Sequence, residues 1–286
     1  MDFTTILIQL LNSVQYGLLL FLISSGLTLV FGIMGVINLA HGAMYMIGAY
    51  LTYAFVDWTG SFGLALLLGL PVMLVVGIII ERFLIDHLYK KDHLFQVLLT
   101  FGLILILNDL QSLIWGNDTH GVPIPDLLSG SITLTDTMQY PIYRLSVSAI
   151  CLVLAVAMYW VIQKTRLGMT IRAGASNREM VESLGINVRT LFTIIFAAGV
   201  ALAGFGGMIS APLSSVYPGM GDSVLIICLV VVVIGGIGSI KGAFWGAMLV
   251  GLVSTFGPIL IPSLASVMVY LVMAIVLLVK PRGLFA

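Results

Sequence analysis

The sequence predicts an all-α integral membrane protein, a polytopic bundle of eight or nine transmembrane helices that forms one domain over residues 1–286. Hydrophobic residues make up 60% of the chain and charged residues only 8%, whereas soluble domains carry about 25% charged residues. The mean hydropathy is +1.17. No Asp, Glu, Lys or Arg occurs between Phe3 and Val56, and this run is long enough for two crossings, since one crossing takes roughly 20 apolar residues. The short alternating segments of a membrane β-barrel do not occur in the sequence.

Nine apolar segments account for the predicted crossings. Some are short for a full crossing, so we expect one or two to be broken or re-entrant, and eight spans are the alternative to nine. The segments are residues 6–31, 40–56, 62–82, 95–115, 146–163, 190–211, 223–239, 243–261 and 264–280.

Charged residues in the connecting loops predict the orientation, because basic residues of short loops mark the cytoplasmic side. The loops predicted to be cytoplasmic contain Arg82, Lys90, Lys91, the segment Lys164–Arg189, Lys241, Lys280 and Arg282. The opposite loops contain Asp57, Asp118, Asp126, Asp136 and Asp222, with Arg144 as their only basic residue. The sequence therefore predicts an external N-terminus and a cytoplasmic C-terminus.

Two glycine-rich segments interrupt the apolar pattern. The first, GLTLVFGIMGVINLAHGAMYMIGAY, runs from Gly26 to Tyr50, and its part INLAHGAMYMIGA is similar to IGSIKGAFWGAM at residues 237–248. In transporters, broken helices expose backbone groups that line a solute path, and weak internal similarity indicates a repeat. For Asn38 and His41 the alternative is a tight turn, with Asn38 as the N-cap of the next helix and His41 at a helix interface. The candidate path residues are Gly32, Gly35, Asn38, His41, Tyr45, Gly235, Gly236 and Gly238.

The polar segment Lys164–Arg189, here called the island, carries five of the twelve Lys and Arg residues. Ser176 and Glu179 fit a capping box, and Gly185 fits the left-handed residue that follows a helix. They bound a helix over residues 177–184, which is too short to be stable alone in water. Its predicted apolar face is Met180, Val181 and Leu184, and its polar face is Arg178, Glu179, Glu182 and Ser183. This pattern favours docking to a partner protein over the alternative, a helix lying on the lipid surface.

Motifs of catalysis and cofactor binding are missing from the sequence. No Gly-Lys dipeptide occurs, so the chain lacks the phosphate-binding G-x-x-x-x-G-K-[ST] loop. The four histidines show no metal-ligand spacing, and neither G-x-S-x-G nor H-E-x-x-H is present. The balanced net charge argues against a nucleic-acid partner. We therefore expect neither an enzyme nor a metal or cofactor bound by this chain.

Two further features leave alternatives open. Asp109 is the carboxylate that lies furthest inside a predicted span, and it is either a transport residue or a solvated or hydrogen-bonded structural carboxylate. The external loop over residues 116–143 is too long for a simple turn, and it is either a connector or a lid or docking surface.

The segments GLTLVFGIMGVINLAHGAMYMIGAY, RAGASNREMVESLGIN and VVVIGGIGSIKGAFWGA resemble the LivH-type permease subunits of ABC importers for branched-chain amino acids. The resemblance runs from about Gly17 to the closing KPRGLF. It implies a multi-pass subunit of the bacterial inner membrane, together with a second, LivM-like permease, two cytoplasmic ATPases that bind ATP and Mg²⁺, and a periplasmic solute-binding protein. In this family the short helix of the cytoplasmic loop, here within residues 164–190, couples the permease to an ATPase. The matching residues are Ala175, Ser176, Asn177, Arg178, Glu179, Met180, Val181, Glu182, Leu184 and Gly185.

The solute stays open at this stage. The sequence departs from the family pattern at Ala43, where an acidic residue is common, and at Lys241, where a small residue is common. Relatives carry urea, short amides or aromatic acids as well as amino acids. The leading hypothesis is an importer subunit for branched-chain or other hydrophobic amino acids. A stand-alone passive channel and a membrane-embedded enzyme are the hypotheses from other classes.

Overall fold

The computed structural model describes residues 3–89, 91–135 and 138–285, and Lys90 and Asp136, which contributed to the orientation argument, lie outside them. The described helices are α1 (Phe3–Leu29), α2 (His41–Thr59), α3 (Phe62–Phe83), α4 (His93–Trp115), α5 (Ile142–Lys164), α6 (Arg166–Ser176), α7 (Arg178–Ser183), α8 (Val188–Ser210), α9 (Met220–Gly235), α10 (Ile240–Leu260) and α11 (Met268–Val279). Strands β1 (Ser131–Thr135) and β2 (Met138–Pro141) form an antiparallel hairpin. Shorter turns of helix are a π-helix at Val30–Met34 and 3-10 helices at Ile85–Leu88, Asp126–Leu128 and Pro262–Leu264.

Each of the nine predicted apolar segments corresponds to one helix, and α6 and α7 are the two helices outside that set. Six of the described helices are long and apolar enough to cross a membrane. Helix α9 has 16 residues and α11 has 12. At 1.5 Å per residue they extend about 24 Å and about 18 Å, less than the ~30 Å hydrocarbon core. The all-α polytopic fold is confirmed, while the number of crossings stays a prediction.

Hydroxyl side chains inside the apolar helices form hydrogen bonds with their own helix. Ser24 Oγ donates to the Leu20 carbonyl at 2.6 Å, and Thr28 Oγ1 donates to the Ser24 carbonyl at 2.8 Å. A hydroxyl in hydrocarbon finds no water, so a carbonyl one turn earlier is the nearest acceptor. Buried serines and threonines therefore fit these helices without a partner from another helix.

Helices α1, α2 and α8 form the centre of the bundle. Helix α1 packs along α10, and α8 packs along both α2 and α3. Small residues let α2 and α8 approach closely: a Cβ at Gly48 would lie 2.1 Å from the Gly204 carbonyl oxygen, and one at Gly207 would lie 1.9 Å from the Tyr45 carbonyl oxygen. Membrane helices commonly associate through such small-residue contacts, because lipid tails are as apolar as leucine.

The loops gather at two ends of the bundle. One end, here called the island end, carries the island; there Arg189 forms an ion pair with Asp86, and the Leu284 N–H donates to the Ile234 carbonyl at 2.9 Å. The opposite end, the far end, carries residues 116–135 and 138–141. The basic loops that the sequence assigned to one side therefore lie together, wherever the structure describes them.

The far-end loop is folded onto the bundle. His120 and Val216 exchange two backbone hydrogen bonds of 2.8 Å, and the His120 ring stacks on Tyr53 with 4.3 Å between ring centroids. The hairpin β1–β2 follows and leads directly into α5. The described part of the loop thus packs on the bundle at the far end.

Candidate functional site

A polar cavity of about 470 Å³ opens among α1, α2, α5, α8 and α10 at the far end. Its volume falls within the range of small-molecule sites. Here called the far-end cavity, it offers hydrogen-bond donors, acceptors and one cation. Its lining residues are Gln9, Asn12, Gln15, Tyr16, Leu19, Tyr45, Arg144, Ser210, Leu213, Ser214, Ser254 and Thr255.

Tyr45 is the predicted path residue that lines this cavity. Its hydroxyl and Ser210 Oγ lie 2.6 Å apart, and Ser210 Oγ also donates to the Gly207 carbonyl at 2.9 Å. Both side chains are buried. The pair joins α2 to α8 across the cavity wall, so the wall depends on the close packing of those two helices.

Arg144 and Asn12 form the opposite part of the cavity. The Arg144 guanidinium donates to Asn12 Oδ1 at 3.1 Å, and the Tyr140 hydroxyl donates to the same oxygen at 3.2 Å. Burial raises the pKa of the Tyr140 hydroxyl, so this group stays protonated and remains a donor at neutral pH. The two donors fix the Asn12 amide oxygen and hold the guanidinium at the cavity.

The two glycine-rich segments are helix breaks that touch each other. After the π-helix, Gly35 adopts φ +64°, and between α9 and α10 Gly236 and Gly238 adopt φ +99° and +80°. A Cβ at Gly32 would lie 2.4 Å from the Gly238 Cα. Left-handed backbone and this close approach both require glycine. The structure thus brings the two helix breaks side by side.

Asn38 and His41 lie buried beside the first break. His41 Nε2 lies 2.8 Å from the Ile23 carbonyl oxygen, whereas both side-chain polar atoms of Asn38, and His41 Nδ1, have no hydrogen-bond partner among the described residues. The N-cap alternative for Asn38 is wrong: the N-cap of α2 is Ala40, which offers no side-chain hydrogen bond. The chain passes through Asn38 two residues too early for its amide to reach the free N–H groups of α2.

The C-terminal segment supports the second break, which the sequence did not indicate. The N–H groups of Leu284 and Phe285 donate to the carbonyls of Ile234 and Gly235 at 2.9 and 3.1 Å. A Cβ at Gly283 would lie 2.5 Å from the Gly236 Cα. The carbonyls left without partners at the end of α9 are therefore satisfied by distant residues of the chain.

The predicted island helix exists as α7, but its N-cap prediction is wrong. Ser176 is the last residue of α6, and the N-cap is Asn177, whose Oδ1 accepts from the Met180 N–H at 3.0 Å. Residues 166–176 form a helix of their own, so Ser176 is helical and its hydroxyl is not placed to cap. The side chains of Arg178 and Glu179 lie outside the described part, and with them the capping-box partner.

The C-terminal end of α7 follows the prediction at Gly185. This glycine adopts φ +81°, its N–H donates to the Glu182 carbonyl at 3.0 Å, and the Ile186 N–H donates to the Val181 carbonyl at 3.3 Å. These two bonds form a Schellman motif. The motif fixes the turn from α7 towards α8.

The apolar residues of α7 divide between the interior and the surface. Val181 is 3% exposed, whereas Met180 and Leu184 are 62% and 73% exposed. The predicted single apolar face is therefore wrong in part, because Val181 anchors the helix to the bundle and only the i, i+4 pair projects outward. Two exposed apolar side chains remain on a short, fixed helix.

Glu81, which the sequence suggests as an interfacial partner of Arg82, is a buried carboxylate at the end of α3 and bonds to other residues. Glu81 is fully buried; it accepts from the Thr193 hydroxyl at 2.6 Å and from the Tyr89 hydroxyl. These bonds tie α3 to α8 next to the ion pair between Arg189 and Asp86. A single sequence shows no signal for this network, because its members are separated by up to 112 positions.

Asp109 and Lys241, the other charged residues noted in the sequence, lie outside the far-end cavity. Asp109 is exposed on α4, and Lys241 lines a cavity of about 240 Å³ at the island end together with Arg172 and Gly238. In the described part of the chain, no group of three or more His, Cys, Asp or Glu side chains could hold a metal ion.

A polytopic helical bundle with a polar cavity at one end and a short exposed helix at the other has the organisation of a membrane transport permease. The chain belongs to the family described as branched-chain amino acid transport system / permease component, which it matches over residues 9–278.

Relatives of nearly the same length are similar along the chain. It is 28% identical to the high-affinity branched-chain amino acid transport system permease protein BraD of Pseudomonas aeruginosa, over 96% of this chain and 94% of the relative. It is 29% identical to the corresponding permease protein LivH of Escherichia coli, over 99% and 96%. It is 25% identical to a probable LivH of Methanocaldococcus jannaschii, over 84% and 78%. No solved structure matches the chain.

Proposed function

We propose that this chain is the membrane-spanning permease subunit of an ATP-driven importer for branched-chain or other hydrophobic amino acids. Membership of the permease family and the names of the full-length relatives support the proposal. In this assembly a second, related permease and two cytoplasmic ATPases join the chain, and a periplasmic binding protein delivers the solute. ATP and Mg²⁺ bind to the ATPases and not to this chain.

The observation that carries the proposal is the exposed pair Met180 and Leu184 on α7. Both side chains project from a helix whose ends are fixed by Asn177 and by the Schellman motif at Gly185. Large apolar side chains on an otherwise polar segment are typical of contacts with a partner protein. We assign this surface to an ATPase.

Helix α8 gives a direct mechanical connection between α7 and the far-end cavity. It begins at Val188, four residues after Leu184, and ends at Ser210 in the cavity wall. It packs on α1, α2 and α3, and the bonds of Glu81 and Arg189 join its first turns to α3 and to the helix that follows α3. A displacement of α7 by the ATPases is therefore transmitted to the cavity wall through one rigid helix.

The proposed solute path runs from the far-end cavity to the two helix breaks. The cavity opens to the outside, and the contact between Gly32 and Gly238 closes the bundle at the island end. ATP-driven movement separates the breaks and gives the solute access to the cytoplasm. With this orientation we expect the N-terminus outside and the C-terminus in the cytoplasm, with the protein in the inner (plasma) membrane.

The test of the ATPase contact is Leu184→Arg in the complete importer. A charge at the centre of a buried apolar contact opposes docking, so we expect co-purification of the ATPases and ATP-dependent uptake to fall at least tenfold, and Glu182→Lys on the same helix to weaken both. The matched control is Leu127→Arg, because Leu127 is 94% exposed at the far end. ATPase association unchanged in both α7 variants would show that another surface binds the ATPases.

Two competing functions, a passive channel and an importer for urea or short amides, are distinguished by separate measurements. A passive channel conducts solute in vesicles that contain this chain alone, without ATP or partners, whereas the proposal expects no net uptake there. The amide groups of Gln9, Asn12 and Gln15 in the cavity favour urea or a short amide as the alternative solute. Uptake of radiolabelled leucine and of urea by the complete importer distinguishes the two solutes.

A further inference from the structure

Within the described part of the chain, Arg144 is the only charged side chain that lines the far-end cavity. The guanidinium is protonated at every physiological pH, and no described carboxylate forms an ion pair with it. Arg144 is half-buried in the first turn of α5, and its hydrogen-bond acceptor Asn12 Oδ1 is neutral. A half-buried cation among neutral groups attracts an anion.

The backbone around Arg144 also favours an anion. Arg144 is the third residue of α5. The Ile142 N–H donates to the Gly130 carbonyl, and the helix dipole places partial positive charge at this first turn. A cation in that first turn is disfavoured, and an anion is stabilised. The guanidinium and the first turn of α5 thus both contribute positive potential near the cavity.

The guanidinium is held in place while most of its donors stay available. Asn12 Oδ1 accepts one hydrogen bond from Arg144 and one from Tyr140, which fills both lone pairs of that oxygen. Arginine carries five N–H donors in a planar fork that matches a carboxylate with two parallel hydrogen bonds. The described contacts, with Asn12 and Tyr140, hold the guanidinium and leave its other N–H donors available to a ligand.

The rest of the lining selects among anions. Gln15 is 4% exposed, and its amide forms no hydrogen bond with another described residue; with the hydroxyls of Ser254 and Thr255 it offers neutral donors and acceptors, and Leu19 adds an apolar surface. Among the described residues, the lining holds no Asp or Glu, so an ammonium group meets neutral acceptors there. A multiply charged anion such as phosphate would meet a single cation.

We infer that Arg144 binds the carboxylate of a small monocarboxylate with an apolar side chain, and that Asn12 positions the guanidinium for that contact. The inference deepens the proposed function, on which its solute class rests. It assigns the carboxylate as the group that the permease recognises, with the ammonium group tolerated rather than required. Urea and short amides lack this group and would leave the Arg144 charge without a partner.

The test is ligand binding to the full chain in lipid nanodiscs, followed by saturation-transfer NMR with leucine, isovalerate and leucinamide. Isovalerate keeps the carboxylate without the ammonium, and leucinamide keeps the ammonium without the carboxylate. We expect signals from leucine and isovalerate but not from leucinamide. Arg144→Gln lowers the affinity for both acids about tenfold or more, because a charged hydrogen-bonded contact is lost.

Two further variants separate recognition from a merely structural role. Arg144→Lys keeps the charge without the fork and gives intermediate binding, and Arg82→Gln removes an exposed arginine at the island end and leaves binding unchanged. The unfolding temperature of Arg144→Gln is measured in parallel, so loss of the fold is distinguished from loss of the contact. Equal binding of both acids to wild type and Arg144→Gln, no binding of isovalerate to wild type, or equal binding of leucinamide would each overturn the inference.

The importer role and carboxylate recognition by Arg144 can be tested separately. If the complete wild-type importer shows no ATP-dependent uptake of leucine while the chain binds both acids through Arg144, the importer role is wrong and carboxylate recognition stands. If uptake is ATP-dependent but Arg144→Gln transports and binds leucine like wild type, the importer role stands and carboxylate recognition is wrong.

Discussion

Single glycines determine how closely the two helix breaks approach. Gly32 and Gly238 meet backbone to backbone, so there is no side chain that could move aside to admit a methyl group. The contact joins residues far apart in the sequence, and each lies in a segment where the helix is already interrupted. A change at Gly32 therefore acts on the relative position of both breaks.

Gly32→Ala should destabilise the protein by about 1–3 kcal/mol, the usual cost of overpacking, and should reduce uptake. The matched control is Gly102→Ala on α4, where an added Cβ has no atom within 4 Å. There the change should stabilise the helix by up to about 1 kcal/mol. Thermal unfolding in detergent measures both. Equal unfolding temperatures for the two variants would contradict a close contact between the breaks.

Predictions for single residues were correct where the local backbone conformation alone determines the structure. Gly185 follows α7 in the left-handed conformation, because a short helix followed by glycine commonly ends that way. Ser176 failed as an N-cap because it belongs to the preceding helix α6. Val181 and Leu184 separate because the bundle covers only one of them. Burial depends on neighbours that a sequence pattern does not contain.

At the scale of elements, α8 is the helix on which the proposed coupling depends. Glu81 and Thr193 tie it to α3 at the island end, and Tyr45 and Ser210 tie it to α2 at the far end. Both bonds are side chain to side chain and buried or part-buried. They keep α8 in register with its neighbours at either end, so a movement at one end reaches the other.

Thr193→Val removes the hydroxyl that donates to buried Glu81 and keeps the shape of the side chain. Leaving a buried acceptor without its donor costs about 1–3 kcal/mol, so the variant should lower the unfolding temperature and reduce uptake per ATP hydrolysed. Thr170→Val on α6 is the control, because the Thr170 hydroxyl donates to Arg166 within its own helix. ATP-coupled uptake unchanged in Thr193→Val would exclude this bond from the coupling.

The nine apolar helices were predictable because apolar runs near the length of a bilayer crossing specify helices in a membrane. Segment ends shifted where glycines interrupt the run: the predicted segment 223–239 ends as a helix at Gly235. Helix α6 was missed because its sequence is polar and holds two glycines. The far-end cavity was predicted only through Tyr45, since its lining comes from five helices that the sequence cannot place together.

For the whole molecule, the structure divides the loops between two ends, and the orientation proposed from basic residues becomes testable. Ser129 is exposed at the far end and Ser176 at the island end. Both native cysteines are buried. Labelling of a single cysteine introduced at either serine therefore shows which side of the membrane that end faces, with little labelling of the native cysteines. A membrane-impermeant maleimide should label Ser129→Cys in intact cells and Ser176→Cys only after the membrane is opened. The wild-type chain, unlabelled in both conditions, is the control. The reverse pattern would place the island outside the cell, beyond reach of ATPases in the cytoplasm, and would exclude the proposed coupling through α7 whatever the solute.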